Sequence, residues 1–258
     1  MDLGIAGRKA LVCASSRGLG FACAKAFAEA GCEVVINGRN QDQLGAAAAE
    51  LKKLGAKITA VAADVASSGG QKALFAACPE PDILVNNNGG PPPRDFRELD
   101  RQKLLDGVTA NMVVAVELVQ KVIDPMIAKK FGRIVNITSG SVKMPLAGLD
   151  LSSGARAGLT AFLAGVARSV AASNVTINFM LPGIFDTDRF RSNVEATVKK
   201  RNISFDTVLA ERIEAVPAKR IGTPDEFGAT CAFLCSAQAG YITGQNVLID
   251  GGTFPGAF

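Results

Sequence analysis

Seven short, almost continuously apolar runs, separated by stretches with helical periodicity, constrain this chain more than any other feature. The runs lie at 9–14, 33–37, 57–62, 82–86, 133–138, 175–180 and 246–249. Helical patterns follow at about 18–30 and 41–54, and longer ones flank the fifth run. Strands that are apolar along their whole length are covered on both faces, and helices between them make the strands parallel. The reading is therefore a doubly wound α/β fold with a seven-stranded parallel sheet and ligands at the carboxyl ends of the strands. A length of 258 residues with 48% apolar content suits one domain spanning 1–258. One segment, 186–216, breaks the rhythm. It is polar and charged, carries Phe190 and Phe205, and reads as a substrate lid.

Composition removes several function classes. There is no histidine, so Ser-His-Asp and Cys-His catalysis and histidine metal sites are out, and no metal is expected. The net charge is +4, and the densest basic patch, Lys199-Lys200-Arg201, reads as a solvated helix face rather than a nucleic-acid stripe. No apolar stretch has the length and purity of a membrane span. Met1-Asp2-Leu3-Gly4 opens no secretory signal. The six cysteines lack disulfide or zinc spacing, and Cys231 and Cys235 read as small core residues on a helix. A reducing cytoplasm is the expected location.

The first strand runs into Ala14-Ser15-Ser16-Arg17-Gly18-Leu19-Gly20. Glycines in a strand-to-helix turn let the backbone approach a pyrophosphate, which the free N–H groups of the helix then hold. Ala14 stands where a glycine would be usual, which is tolerable if its φ is negative. The second strand ends in Ile36-Asn37-Gly38-Arg39. An acidic side chain there binds the ribose 2′-hydroxyl of NAD. Here Gly38 removes the acid, while Arg39 and Arg17 supply guanidinium groups suited to a 2′-phosphate. The expected cofactor is NADP(H).

Further motifs carry a resemblance that spans nearly the whole chain. Asp64-Val65 in Ala62-Ala63-Asp64-Val65, then Asn87 and Gly89 in Asn86-Asn87-Asn88-Gly89, follow the third and fourth strands. Asn111 lies on the next helix, and Ser139 closes Ile134-Val135-Asn136-Ile137-Thr138-Ser139. Pro182-Gly183-Ile184-Phe185-Asp186-Thr187, Arg220-Ile221-Gly222-Thr223-Pro224 and Tyr241-Ile242-Thr243-Gly244-Gln245 complete the series. In this order the motifs resemble the short-chain dehydrogenase/reductase family, and within it the 3-oxoacyl-ACP reductases. The resemblance implies a Rossmann fold, cofactor contacts from Asp64, Val65, Asn87, Gly89, Phe185 and Thr187, catalytic roles for Asn111 and Ser139, and a homotetramer. That family carries Tyr-x-x-x-Lys about thirteen residues after its serine. Thirteen residues beyond Ser139 stands Ser152, with Arg156 four further on. The one tyrosine, Tyr241, belongs to the C-terminal motif.

The resemblance implies that tyrosine protonates the substrate oxygen and that lysine holds the ribose. A serine hydroxyl is a far weaker acid than a phenol, whose pKa is near 10. Arg156 keeps the charge and can hold ribose hydroxyls, but it cannot relay a proton. Three readings stay open. Ser139, Ser152 and a water polarise a carbonyl during hydride transfer; or the substrate is a C=C or C=N compound needing little acid help; or the chain binds nucleotide with little turnover. Phe185, Phe190, Phe205 and Leu209 suggest a small-molecule substrate that is partly apolar.

Overall fold

The computed structural model describes residues 2–90 and 93–257. Seven parallel strands form one sheet in the order β3-β2-β1-β4-β5-β6-β7. They are β1 Lys9–Val12, β2 Glu33–Gly38, β3 Ile58–Ala62, β4 Ile83–Asn86, β5 Gly132–Ile137, β6 Val175–Pro182 and β7 Asn246–Ile249. Each expected strand is present, with ends shifted by a residue or two. Side chains alternate between the two faces because successive Cβ atoms point to opposite sides. Ala10 and Val12 of β1 join the core beneath α1 (Gly18–Glu29), α2 (Gln41–Lys52) and α9 (Pro224–Leu234), where Phe27, Leu51 and Phe227 are buried. Leu11 and Cys13 join the opposite core, beneath α3 (Ser68–Ala77), α5 (Val114–Lys129) and α6 (Asp150–Val170), with Leu74, Leu118 and Leu163. All six cysteines are buried and unpaired in disulfides, as small core residues would be. Burial pushes the Cys13 and Cys32 thiols up to about 12, so both are inert at neutral pH.

Between α3 and α5 lies α4 (Arg101–Val108), and between β6 and α9 lie α7 (Asp188–Arg201) and α8 (Phe205–Glu214). Most helices begin on a side-chain cap: Asn40 for α2, Ser67 for α3, Asp100 for α4, and a full capping box, Thr223 with Glu226, for α9. Helix α1 begins on Arg17 without one, which leaves its first N–H groups to a ligand. The strand order reverses between β1 and β4, the position at which a doubly wound sheet opens a crevice.

Candidate active site

The turn after β1 fits tightly around the crevice. A β-carbon on Gly20 would stand 2.4 Å from the carbonyl oxygen of Ala14 and 2.7 Å from Nδ2 of Asn87, so only glycine fits. Asn87 Nδ2 donates to that same carbonyl at 3.1 Å and so joins the ends of β1 and β4. Ala14 itself has φ +45°, contrary to the expectation of a negative value. The left-handed backbone is held by neighbours on both sides. Its N–H donates to Asn37 Oδ1 at 3.3 Å, and its C=O accepts from Asn87. Ser15 is fully buried; its hydroxyl donates to Val12 O and accepts from Asn37 N, so it ties β1 to β2 rather than facing the crevice. Ser16, Gly18 and Leu19 are half-buried, Leu19 with its side chain against the core beneath α1.

Gly38 has a steric reason. A β-carbon there would lie 2.9 Å from both Cβ and Oγ of Ser16, so an acidic side chain has no room. Arg39 is exposed and has no ion-pair partner among the described residues. Arg17 is also exposed and stands 3.6 Å from Asp188 at the start of α7. Across the crevice, Thr187 caps α7, and its methyl would lie 3.7 Å from a β-carbon on Gly18. Asp64 is exposed and Val65 buried, immediately before α3. An uncapped helix N-terminus, a glycine cradle and an acid-free strand end together fit a dinucleotide carrying a 2′-phosphate.

The catalytic half lies over the ends of β4, β5 and β6. Ser139 follows β5, half-buried, and its Oγ accepts from both the N–H (3.1 Å) and the hydroxyl (2.9 Å) of Ser141. Its own proton is therefore left to donate outward. Ser141 was not singled out in the sequence; its only signal is the spacing Ser-Gly-Ser. Ser152 and Arg156 sit one turn apart on α6, both buried, with Arg156 Nε donating to Ser152 Oγ at 3.2 Å. Arg156 Nη1 donates to the carbonyls of Ile137 (2.7 Å) and Thr138 (3.2 Å), and Nη2 to that of Asn88 (3.4 Å). No carboxylate pairs with it among the described residues. Burial, followed by the neighbouring Arg189, holds its pKa down to about 10, still a cation at pH 7.

Asn111 lies in a single wide turn of π-helix, Thr109–Val113, between α4 and α5. Such bulges mark functional positions in helices. Its Nδ2 donates to Gly107 O at 3.0 Å, while its buried Oδ1 has no hydrogen-bond partner. A cavity of about 260 Å³ runs from Asn111 and Ser152 past Gly89, Gly148 and Leu151 to Lys103. The Phe185 ring, expected to face ligand, instead packs edge-on against Phe227 at 5.3 Å in the core. It therefore adds no apolar wall to the crevice. Tyr241 is fully exposed, beside Gly240. A β-carbon on Gly240 would lie 3.3 Å from Nη2 of Arg133, at the start of β5, so Tyr241 stands at the opposite end of the sheet from Ser139.

A parallel sheet with a glycine-lined crevice at its strand reversal, and hydroxyls gathered at the far side, defines a nucleotide-dependent α/β oxidoreductase. Residues 13–253 match the family described as Enoyl-(Acyl carrier protein) reductase. The chain is 31% identical to the NADPH-dependent reductase BacG of Bacillus subtilis, over 95% of this chain and 97% of that one. It is 30% identical to the 3-oxoacyl-[acyl-carrier-protein] reductase FabG of Chlamydia pneumoniae, over 98% and 99%. The solved L-sorbose reductase of Gluconobacter frateurii, complexed with NADPH and L-sorbose, superposes with a TM-score of 0.93 at 30% identity, covering 99% of this chain and 100% of that one. The chain belongs to the short-chain dehydrogenases/reductases. No helix among the described residues is long and apolar enough to cross a membrane.

Proposed function

We propose that the protein is an NADP(H)-dependent reductase of a small carbonyl compound, working without the tyrosine and lysine usual in its family. The observation that carries this is the Ser139 hydroxyl, which accepts twice from Ser141 and keeps its proton for a substrate oxygen. NADP(H) is the cofactor: BacG is NADPH-dependent and the L-sorbose reductase holds NADPH, and the Ser16–Gly38 contact supports the same reading from within this chain. Arg39 and Arg17 would hold the 2′-phosphate, the α1 N-terminus the pyrophosphate, and the backbone at Phe185 and Thr187 the carboxamide; Arg156, four of whose five N–H groups go to Ser152 and backbone carbonyls, is assigned no ribose contact.

When bound, the reduced nicotinamide supplies a hydride to the carbonyl carbon. The electron pair of the C=O bond moves onto oxygen, where Ser139 donates a hydrogen bond to the growing charge. Ser152, polarised by Arg156 Nε, lines the cavity in which a water can deliver the proton. Asn111 lines the same cavity, and its buried Oδ1 has no hydrogen-bond partner of its own. We assign the segment 186–216, which carries α7 and α8, as the substrate lid.

The test is NADPH oxidation with a panel of simple ketones, in the wild type and in the double variant Ser152→Tyr/Arg156→Lys. Weak wild-type turnover that rises in the double variant is expected. No turnover in either protein, despite NADPH binding, would refute the reductase reading. Arg39→Asp should shift preference toward NADH; tighter NADH than NADPH binding in the wild type would overturn the cofactor assignment. We further propose a homotetramer, because Phe162 on α6, Phe233 on α9 and Tyr241 leave large apolar surface exposed, and a cytoplasmic location, with which six buried cysteines free of disulfides agree. A monomer mass by light scattering would contradict the tetramer.

A further inference from the structure

Two arginines converge on Gly90, just past the end of β4, and neither has an acidic partner among the described residues. A β-carbon on Gly90 would lie 3.2 Å from Nη2 and 3.4 Å from Nη1 of Arg189, and 3.7 Å from Nη2 of Arg156. The acids nearest Arg189 in sequence are committed elsewhere. Asp186 takes a two-pronged bond from Arg191, with both contacts at 2.8 Å, and Asp188 faces Arg17 at 3.6 Å. Arg156 is buried, and four of its hydrogen bonds go to Ser152 and three backbone carbonyls. A guanidinium has five N–H donors. The remaining one is on Nη2, the atom nearest Gly90 and Arg189. Like charges at this separation, one of them desolvated, repel unless an anion joins them.

Several anions could answer, and position decides among them. The pyrophosphate belongs over the α1 N-terminus, where Gly18 and Thr187 approach each other between β1 and β4. The 2′-phosphate belongs beyond β2, at Arg39. Gly90 instead adjoins the ends of β4 and β5, through Asn88 and Thr138, on the side of Ser139 and Ser152. That is the side of the reacting carbon.

We propose that the substrate carries a carboxylate beside its reacting carbon, as a 2-oxo acid does, and that Arg189 with the free N–H of Arg156 anchors it. The inference rests on the reductase reading above for the meaning of the reacting carbon, but the anchoring itself is measurable without turnover. A planar carboxylate matches the fork of one guanidinium and leaves an oxygen for the other. Arg189 is exposed, so an incoming anion can reach it and its replacement leaves the core intact.

The experiment titrates 4-methyl-2-oxopentanoate and its methyl ester, by calorimetry, into the protein alone and into the protein loaded with NADP+. The acid should bind roughly tenfold to a hundredfold more tightly than the ester. Arg189→Gln should erase that difference and leave the NADP+ affinity unchanged, and Arg189→Lys should restore part of it. Equal binding of acid and ester, or binding of neither, overturns the proposal. So does a loss of NADP+ affinity in Arg189→Gln matching the loss for the acid, since the guanidinium would then serve the cofactor. Failure of NADP+ to bind at all, with the acid preference intact, would count against the reductase reading and leave the anchor standing.

Discussion

Strand β5 has a buried arginine at each end, and the two live under opposite rules. At its amino end, Arg133 donates through Nε to Ser236 O (3.0 Å), through Nη1 to Gly132 O and Asn174 O (2.9 and 2.8 Å), and through Nη2 to Asn174 Oδ1 (3.2 Å). Its guanidinium also lies over the Phe131 ring, 4.4 Å from the centroid. Apart from Gly132 O in β5 itself, these acceptors lie just beyond the ends of α6 and α9, so the side chain fastens both segments to the sheet. At the carboxyl end, Arg156 reaches in from α6 to the Ile137 carbonyl of the same strand, but it lines a small cavity with Asn88 and Ile137 and stands beside a second cation. Burial lowers the pKa of both. One edge of the sheet spends its buried charge on cohesion; the other keeps a donor open for a ligand.

The largest test of this contrast is Arg133→Leu. It removes the donor to the carbonyl of the fully buried Ser236 and the guanidinium packed over Phe131, at about 1–3 kcal/mol for the unpaired buried group plus lost packing, so a loss of roughly 2–4 kcal/mol is expected. Arg156→Met removes the donor to the carbonyls of Ile137, Thr138 and Asn88, but Ile137 and Asn88 line a small cavity of about 20 Å³ where a water can take its place. Its loss in urea unfolding should be less than half that of Arg133→Leu. Equal losses would break the comparison.

Next in size is Ser139→Ala, on the same carboxyl edge. Removing an oxyanion donor costs on the order of a hundredfold or more in rate. The folded state should lose at most about 1–2 kcal/mol, because the Ser139 hydroxyl caps only the Ser141 N–H and hydroxyl. Ser152→Ala should lower kcat only a few-fold, since Ser152 accepts a bond rather than touching the reacting oxygen. The comparison of kcat between the two variants checks the division of labour. A larger effect at Ser152 would reverse it.

The two edges were also unequally legible in the sequence. Strands β1 to β7 appear as continuous apolar runs because both faces of the sheet are covered, and the helix pattern fixes their direction. Gly20 and Gly38 carried their meaning in identity alone: nothing larger fits against Ala14 and Ser16. Ser152 and Arg156 were found by counting along a helix. Arg189 was not legible, because its significance comes from meeting Arg156 over Gly90 across a distance in the chain that no periodicity reports. Ser15 and Phe185 fell within ligand motifs, yet the fold turns the hydroxyl of one and the ring of the other inward. A motif fixes a backbone position; packing decides where the side chain goes.

The smallest expected effect concerns Ala14, whose φ of +45° was the reverse of the expectation. Other non-glycine residues with positive φ sit where it is routine: Lys130 and Asn174 end helical segments at the amino edge of the sheet. Ala14 sits instead in the β1–α1 turn proposed above to lie against the cofactor phosphates. A left-handed backbone costs an L-residue roughly 1–2 kcal/mol, because Cβ crowds the following carbonyl. The strain persists because Asn37 and Asn87 hold the Ala14 N–H and C=O from two different strands. Ala14→Gly removes that cost, while the freer unfolded chain returns about 0.4–1 kcal/mol of it. The net gain should be about 0.5–1 kcal/mol, a rise in melting temperature of roughly 1–4 °C. NADPH affinity should not change, because the same two asparagines still fix the turn. A destabilised Ala14→Gly protein would mean that the methyl group contributes packing exceeding the backbone strain, and that the carboxyl edge is less strained than its φ angle implies.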